Sequence, residues 1–227
     1  VISKSFDTGT NSTDRRTIVY ARNASFQIAE KLNIKYFIQL DDDYSQFVYK
    51  FDNHLGYKER RVKNLDGVLD AMLRFYKSID ALSVAMAQNG DFIGGRNGSF
   101  AKEIKLHRKA MNTFICSTDR PFQFIGNVNE DVNTYVNLGS KGKLFLTVPN
   151  VAIIQNSTQK TKGGMTDIYL DQGTYVKSFF SVMYNPSCVK VAEMGEKHRR
   201  LHHRVIWNNA VPKIIQTKQK LNGGYYA

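Results

Sequence analysis

Three consecutive aspartates, Asp41, Asp42 and Asp43, are the residues of this chain whose type and spacing most strongly indicate chemistry. They follow a short apolar run from Tyr36 to Leu40, which predicts a buried strand. Adjacent carboxylates repel each other and lose hydration at the end of such a strand, so they cost stability unless a cation lies among them. Hard divalent cations bind carboxylate oxygens, and ligands of open α/β sheets lie at the carboxyl ends of strands. The motif therefore predicts a metal site, and a solvated acidic turn is the alternative.

A glycine-rich segment, residues 89–98, contains Gly94 and Gly95. Glycine allows the backbone to adopt positive φ and to approach a ligand closely. No Gly-Lys-Ser/Thr sequence follows, so the segment is not a Walker loop, and its glycine spacing does not fit a dinucleotide fingerprint. It is either a ligand-binding loop or a plain turn.

A second acidic motif, Glu130-Asp131, opens a predicted helix that extends to Leu138. The helix macrodipole favours acidic residues at this end, so a structural role explains either carboxylate alone. A carboxylate that is not consumed by a metal is also suited to accept the proton of a hydroxyl substrate. Asp131 is therefore the candidate general base, and Glu130 is a candidate for orienting the substrate or tuning Asp131.

Three of the five histidines, His198, His202 and His203, lie in a late basic region. A basic surface helix with incidental histidines is one interpretation. On such a helix, His198 and His202 would share a face. A zinc site needs further ligands, and neither cysteine is near in sequence, so zinc is not favoured.

These motifs occur in an order that resembles the nucleotide-sugar glycosyltransferases of the GT-A fold. Members of that family carry an Asp-x-Asp motif after a strand, a glycine loop, an x-Glu-Asp motif that opens a helix, and a C-terminal metal-binding His. The upstream sequence Ala21-Arg22-Asn23-Ala24 is also similar to the family, and the resemblance covers residues 15–215. It implies an α/β fold with a GT-A-like (Rossmann-like) mixed central sheet flanked by helices in a single domain, residues 1–227.

The resemblance also implies a set of ligands and roles. Mn²⁺ or Mg²⁺ would be held by Asp41 and Asp43, completed by His203 or, as second choice, His202. The metal would neutralise the diphosphate of a nucleoside-diphosphate sugar, with a UDP-sugar as the first expectation. The expected donor-binding residues are Arg22, Asp41, Asp42, Gly94 and Gly95.

The charge of the chain indicates an anionic partner. Its formal net charge is +12 and its pI is about 9.6. No window approaches the roughly 20 apolar residues of a membrane span. With its two cysteines, Cys116 and Cys188, expected to be buried free thiols, the chain predicts an intracellular, cytoplasmic enzyme. It resembles the small phage glycosyltransferases that modify hydroxymethylated pyrimidines in DNA and are related to the transferase domain of GREB-type nuclear proteins. The residues expected to contact DNA are Arg60, Arg61, Lys63, Lys105, Arg108, Arg199 and Arg200.

Other functions are compatible with the same residues. A GT-A transferase acting on a surface glycan or a protein would use the same donor site. A metal-dependent nuclease would also need clustered carboxylates and a basic face. A non-enzymatic DNA-binding module leaves the aspartates unexplained, because they would repel DNA.

The elements that must position these residues are predicted from periodicity and from capping and turn signals. The first strand of the fold lies upstream or within residues 1–6, followed by a helix from a cap at Thr13 or Asp14 to Leu32. Residues 58–63 are expected to form an exposed loop, and the segment 196–227 a basic C-terminal region. Pro149 is expected to separate two strands. Further predicted elements are strands at 46–51, 81–88, 111–117 and 188–192, a helix at 65–78 capped by Asn64, and a helix at 167–184 with Phe179 facing inward.

Overall fold

The computed structural model describes residues 17–88, 104–111, 113–155, 165–194 and 199–212, without the side chains of 165–174, 194 and 200. The helices and strands alternate along most of the chain, which is the pattern of an α/β protein. In chain order the elements are α1 (Ile18–Lys31), β1 (Tyr36–Gln39), β2 (Tyr44–Phe51), β3 (Tyr57–Arg61), α2 (Leu65–Ser78), β4 (Ser83–Gln88), β5 (Phe114–Ser117), α3 (Glu130–Ser140), β6 (Phe145–Gln155), α4 (Met165–Tyr184), β7 (Val189–Met194), β8 (Arg200–Val205) and α5 (Trp207–Ala210).

Six strands form a mixed sheet in the order β1-β5-β4-β6-β2-β3, and β7 and β8 form a separate antiparallel pair. Strands β4 and β6 are parallel, and β5 is antiparallel to both β4 and β1. The strands β1, β4 and β6 therefore run in the same direction and end at the same edge of the sheet. A mixed α/β sheet was predicted, and the structure confirms it.

The two faces of the sheet carry separate cores. One core contains Val19 and Phe26 of α1 and Val136 of α3. The other contains Val68 and Met72 of α2. Apolar residues of the strands alternate between the two cores, as the period of two in a strand requires. The sheet is therefore covered by α1 and α3 on one face and by α2 on the other.

Several predicted elements are confirmed. Asn64 caps α2, because its Oδ1 accepts a hydrogen bond from the Gly67 amide at 2.9 Å. The strand and helix predictions near 46–51, 81–88, 111–117, 130–138, 167–184 and 188–192 all match elements of the same type, with shifted ends. The thiols of Cys116 and Cys188 are buried and free, as expected. Residues 1–6 and most of 196–227 lie outside the described residues.

Other predictions were wrong. Helix α1 is preceded by Thr17 as its N-cap, not by Thr13 or Asp14. Residues 57–61 form an exposed edge strand rather than a loop, because they pair with β2. Phe179 does not face inward, since it is 46% exposed.

Pro149 does not divide the strand that contains it, because β6 is continuous. Its pairing with β4 moves from Val148 directly to Ala152, so the proline lies in a bulge where no ladder hydrogen bond is needed.

Helix α1 buries a different face from the one its apolar residues suggested. Ala21, Ile28 and Leu32 recur at helical spacing, yet all three are exposed. Arg22 and Asn23 are buried in their place. Burial of a charged arginine side chain costs free energy unless the charge is paired, so Arg22 needs acidic partners inside the fold.

Candidate active site

The candidate site lies at the edge of the sheet where β1, β4 and β6 end. Their last residues are Gln39, Gln88 and Gln155. Asp41 follows β1 by two residues. The segment between β1 and β2, called here the aspartate link, contains Asp41, Asp42 and Asp43 and crosses this edge. The prediction that the aspartates lie at carboxyl ends of strands is therefore confirmed, although β1 is half-buried at the edge of the described sheet rather than fully buried.

Arg22 connects the two acidic motifs. Its Nε donates to Glu130 Oε1 at 3.0 Å, and its Nη2 donates to Asp41 Oδ1 at 2.9 Å. The guanidinium also lies 5.1 Å from the ring centroid of Phe114 and 5.5 Å from that of Phe124. Its side chain is 4% exposed. Charge-assisted hydrogen bonds to two carboxylates offset the desolvation of the guanidinium. Arg22 thus joins the start of α3 to the aspartate link.

Asn23 fixes the chain segment that leads to α3. Its Nδ2 donates to the carbonyl of Phe124 at 2.9 Å, and its Oδ1 accepts from the Phe124 amide at 2.8 Å. The side-chain amide of Asn23 thus bonds both the carbonyl and the N–H of Phe124, as a neighbouring strand would. The Phe124 ring, which packs beneath Arg22, is held in place by the same contacts.

The carboxylates of this cluster are destabilised by burial. Burial raises the pKa of Glu130 to about 7, with a contribution from the negative charge of Asp131, and Arg22 opposes the shift. Burial likewise raises the pKa of Asp41 to about 6, against the influence of Arg22, and both Asp131 and Asp43 add to the increase. For Arg22, burial lowers the pKa, but attraction to Glu130, Asp41 and Asp131 outweighs burial and raises it. The Arg22, Asp41, Glu130 and Asp131 side chains therefore form one electrostatically coupled group with more negative than positive charge.

The start of α3 is built by an unusual backbone conformation. Asn129 precedes the helix with φ of 55°, in the left-handed region that asparagine tolerates better than most residues. Its Nδ2 donates to the Lys177 carbonyl at 2.8 Å and to Ser181 Oγ at 3.0 Å on α4. Such conformations persist only where neighbouring structure supports them, and they cluster at functional sites. Here the turn directs Glu130 and Asp131 towards Arg22.

Asp131 is buried, with 7% of its surface exposed. Its Oδ1 accepts a hydrogen bond from the Val132 amide at 2.7 Å, in the first turn of α3. It lies close enough to affect the ionisation of Arg22, Asp41 and Glu130. The structure thus brings the candidate base and the aspartate motif together.

Two residues that sequence reasoning missed contact the aspartate link. Tyr44 Oη accepts a hydrogen bond from the backbone N–H of Asp41 at 3.0 Å. Gln155 Nε2 donates to Asp43 Oδ1 at 3.0 Å. The central Asp42 is exposed. A signal existed for Tyr44, which directly follows the aspartates, but only the sheet order shows that Gln155 meets them.

His202 and His203 lie on a strand, β8, and not on a surface helix. His198 is outside the described residues. His203 is buried. Its Nε2 lies 3.1 Å from Lys109 Nζ, and its Nδ1 lies 3.4 Å from Asn129 Nδ2. Burial, together with the charges of Lys109, His202 and Lys177, lowers the pKa of His203 to about 2, so the ring is neutral.

The residues predicted to bind metal fit a divalent cation to different degrees. Asp41 and Asp43 offer hard carboxylate oxygens, and their hydrogen bonds with Arg22 and Gln155 each engage one oxygen of two. His203 does not fit in this arrangement, because Lys109 and Asn129 contact its two ring nitrogens. His202 Nδ1 donates to the His203 carbonyl at 2.8 Å, which leaves the lone pair on Nε2, as in many metal-binding histidines.

Within the described ranges, no three His, Cys, Asp or Glu side chains lie close enough together to hold a metal ion. The aspartates and the histidines are therefore not assembled into one ligand set here. The metal assignment of these residues stays a prediction.

The remaining predicted residues fall into three groups. Gly94 and Gly95 lie outside the described residues. Arg60, Arg61 and Lys63 are exposed on or beside β3, while Lys105 and Arg108 lie on a partly exposed segment whose Lys105 backbone pairs with Thr147. Arg199 is exposed and its Nε lies 3.4 Å from Glu193 Oε1, and Arg200 belongs to β8 without a described side chain. Across the described helices, none is long and apolar enough to cross a membrane.

Comparisons with known proteins identify the family. No curated protein and no solved structure shows significant similarity to the chain. Residues 7–164 match the model of a family described as TET-Associated Glycosyltransferase. The matched region is more than half of the 227 residues and contains Arg22, the three aspartates and the Glu130-Asp131 motif. Membership favours a transferase over a nuclease or a binding module. The chain therefore belongs to the TET-associated glycosyltransferase family and is a glycosyltransferase.

Proposed function

We propose that this enzyme transfers a sugar from a nucleoside-diphosphate sugar to the hydroxyl of a 5-hydroxymethylated pyrimidine in DNA, on a GT-A fold. The observation that carries the proposal is the Arg22 bridge, which brings the aspartate link and the Glu130-Asp131 motif into one cluster. A transferase needs a donor site and a proton acceptor next to each other, because the acceptor hydroxyl must attack the sugar as the nucleotide leaves. Membership of the family supports the reaction class, and the charge of the chain supports the acceptor.

The carboxylates of the cluster have different roles. Asp131 accepts the proton of the acceptor hydroxyl, since Arg22 directs its two hydrogen bonds to Glu130 and Asp41 and Asp131 is not part of the aspartate link. Glu130 and Arg22 form a charge-assisted pair that positions Asp131 on one side and Asp41 on the other. The exposed Asp42 contacts the sugar or ribose hydroxyls of the donor, as do the loop glycines Gly94 and Gly95.

Mn²⁺ or Mg²⁺, held by Asp41 and Asp43, would neutralise the charge of the leaving nucleoside diphosphate, and a UDP-sugar is the first donor to test. The chemistry of the aspartate oxygens supports this assignment.

Arg60, Arg61 and Lys63 are exposed on or beside the edge strand β3 and form a basic edge of the sheet. This basic edge supports a DNA acceptor. Arg61 pairs with Val48, four residues along β2 from Tyr44, which is the first residue after the aspartate link. At about 3.4 Å per residue, this separation is roughly 14 Å, or about four nucleotide steps along a DNA strand. Phosphates about four nucleotides to one side of an extruded nucleotide would therefore reach Arg60, Arg61 and Lys63 while the base lies beside the aspartate link and Asp131.

The direct test uses the full chain and a panel of nucleotide sugars with Mn²⁺. Duplexes that contain 5-hydroxymethylcytosine, 5-hydroxymethyluracil or only unmodified bases serve as acceptors. Nucleoside diphosphate release and the mass of the digested nucleosides are measured. We expect a mass increase of one sugar on a hydroxymethylated base, no product on the unmodified duplex, and loss of transfer on addition of EDTA.

Two outcomes would redirect the proposal. Nucleoside diphosphate release that is the same with and without hydroxymethylated DNA would move the acceptor to a glycan or a protein. Transfer that persists at full rate in EDTA would remove the metal from the proposal while leaving the acceptor in place.

A further inference from the structure

The aspartate link must be nearly fully extended. It connects β1 to β2, which are separated in the sheet by β5, β4 and β6. At about 4.8 Å between neighbouring strands, that separation is roughly 19 Å in a flat sheet, which is about the full length of the five Cα steps from Gln39 to Tyr44. The link must therefore cross the edge of the sheet without forming its own secondary structure. Its backbone and carboxylate groups need partners from elsewhere.

Two side chains that face each other across β2 and β6 supply such partners. Tyr44 and Gln155 are register partners at the end of the β2–β6 ladder. Tyr44 Oη accepts a hydrogen bond from the Asp41 N–H, and Gln155 Nε2 donates to Asp43 Oδ1, each at 3.0 Å. The Tyr44 ring is fixed in turn by an edge contact with Phe47, with centroids 5.9 Å apart.

We propose that Tyr44 and Gln155 are positioning residues for the donor site, which hold the backbone of Asp41 and the carboxylate of Asp43 in the orientation that binds the nucleoside diphosphate. This inference rests on the proposed function, because it assigns the donor to the aspartate link. Neither residue needs to touch the donor. Tyr44 fixes one end of the Asp-x-Asp motif and Gln155 fixes the other.

Donor binding depends on the orientation of the Asp41 and Asp43 groups. A catalytic or binding group displaced by about 1 Å loses much of its effect. Removal of one hydrogen bond changes an equilibrium by about 2–10-fold. The effect of removing either side-chain contact should therefore appear in donor affinity and not in turnover at saturating donor.

The experiment compares Tyr44→Phe and Gln155→Met with two matched controls. Tyr44→Phe keeps the ring contact with Phe47 and removes only the hydroxyl acceptor. Gln155→Met keeps the length of the side chain and removes the amide donor. The control for the first is Tyr57→Phe, whose hydroxyl bonds Glu59 at an exposed position. The control for the second is Ser45→Ala, which removes a bond to the carbonyl of Ile154 on the same strand pair.

Two readouts are measured on the full chain. The first is amide hydrogen exchange at Asp41 by NMR, which needs no ligand. We expect exchange to rise about 2–10-fold in Tyr44→Phe and to stay at the wild-type rate in both controls. The second is the kinetics of UDP-glucose hydrolysis with Mn²⁺. We expect the donor KM to rise about 2–10-fold in both test variants, with kcat within about a factor of two of wild type.

A double-mutant cycle tests whether Gln155 acts through Asp43. If it does, adding Gln155→Met to Asp43→Ala, which removes the oxygen that accepts from Gln155, should leave the donor KM of Asp43→Ala unchanged. If the increase of the donor KM in the double variant equals the product of the increases in the two single variants, Gln155 does not act through Asp43.

The two possible failures can be told apart. Unchanged exchange at Asp41 in Tyr44→Phe, or a KM equal to that of the controls, would overturn the role of Tyr44. Absence of hydrolysis by the wild-type chain would instead refute UDP-glucose as donor, and the exchange experiment would still decide whether Tyr44 positions Asp41.

Discussion

Arg22 and Glu130 are separated by 108 residues, yet the guanidinium Nε of the first lies 3.0 Å from a carboxylate oxygen of the second. The same guanidinium reaches Asp41. One buried cation thus determines the spacing between the carboxylates expected to bind the donor and the helix that carries the candidate base. The relationship gives Arg22 a structural part in the site, and its contact with the donor stays a prediction.

Replacing Arg22 should therefore affect both stability and activity. Arg22→Met leaves Glu130 and Asp41 buried without their counter-charge, and breaking a buried pair in this way costs about 3–5 kcal/mol in the free energy of unfolding. Arg22→Lys keeps the charge but cannot direct two hydrogen bonds in the planar geometry of a guanidinium, so we expect an intermediate decrease. Urea denaturation at pH 7 measures both.

The matched control is Arg74→Met, since Arg74 forms an exposed pair with Asp70 on α2. Exposed pairs contribute about 0–1 kcal/mol. An Arg22→Met variant that is no less stable than Arg74→Met would show that the bridge does not hold these elements together.

Much of the fold could be predicted from the sequence because periodicity and capping signals are local. The cap at Asn64 and the bounds of α2 are examples, since a strongly amphipathic helix needs no tertiary information to be recognised. The motifs Asp41-Asp42-Asp43 and Glu130-Asp131 were identified as a pair only through their order along the chain. Their meeting at Arg22 depends on the fold.

The parts that could not be predicted are those in which tertiary contacts outweigh local preference. Apolar Ile28 of α1 and Leu32 just after it are exposed, because the buried face of the helix holds Arg22 and Asn23 against their partners. In β8, basic residues and histidines that suit a surface helix form a strand, because they pair with β7. The contact between Gln155 and Asp43 required knowledge of the strand order, which no local pattern contains.

The raised pKa of Glu130 predicts how stability depends on pH. Its pKa is about 7 in the folded chain against an ordinary value of 4.5. Because the folded state holds this proton more tightly, the stability it contributes is fully present below about pH 4.5 and is lost as pH rises through about 7. We therefore expect the free energy of unfolding to fall between about pH 5 and pH 8. Asp41, whose pKa is also raised, acts in the same direction.

Glu130→Gln should flatten this dependence, since glutamine keeps an acceptor for Arg22 but does not ionise. Urea denaturation at pH 5, 6, 7 and 8 measures the slope for both proteins. Glu59→Gln, at an exposed position on β3, is the control and should keep the wild-type slope. An equal slope in Glu130→Gln and wild type would assign the pH dependence to other groups.

The basic edge of the sheet should contribute to DNA affinity and not to donor binding. Reversing the charge at Arg60 and Arg61 should weaken binding of a duplex and reduce the slope of log affinity against log salt by about 0.9 for each phosphate that is no longer neutralised. Fluorescence anisotropy at several salt concentrations gives the slope. Lys190→Glu, at an exposed position on β7, is the control. If hydrolysis of the donor falls in parallel with DNA affinity, these arginines belong to the donor site instead.

Asp131 should be the general base, and Asp131→Asn tests this most directly. Asparagine is nearly isosteric, and its Oδ1 can still accept a hydrogen bond from the Val132 amide, so the start of α3 should remain intact. The substitution removes the proton acceptor. General base catalysis contributes about 10²–10⁴-fold, so kcat for transfer to hydroxymethylated DNA should fall by that order. The donor KM should stay close to wild type, because the aspartate link and Arg22 are unchanged.

Glu130→Gln provides the comparison within the same motif. It preserves the acceptor for Arg22, so we expect a smaller decrease of kcat than in Asp131→Asn. A greater decrease in Glu130→Gln would exchange the two roles. If Asp131→Asn loses activity only through a weaker donor KM, Asp131 belongs to the donor site and Glu130 becomes the candidate base. If both variants transfer sugar at the wild-type rate, the proton is accepted by a group outside this motif, as in a retaining transferase whose leaving phosphate accepts it.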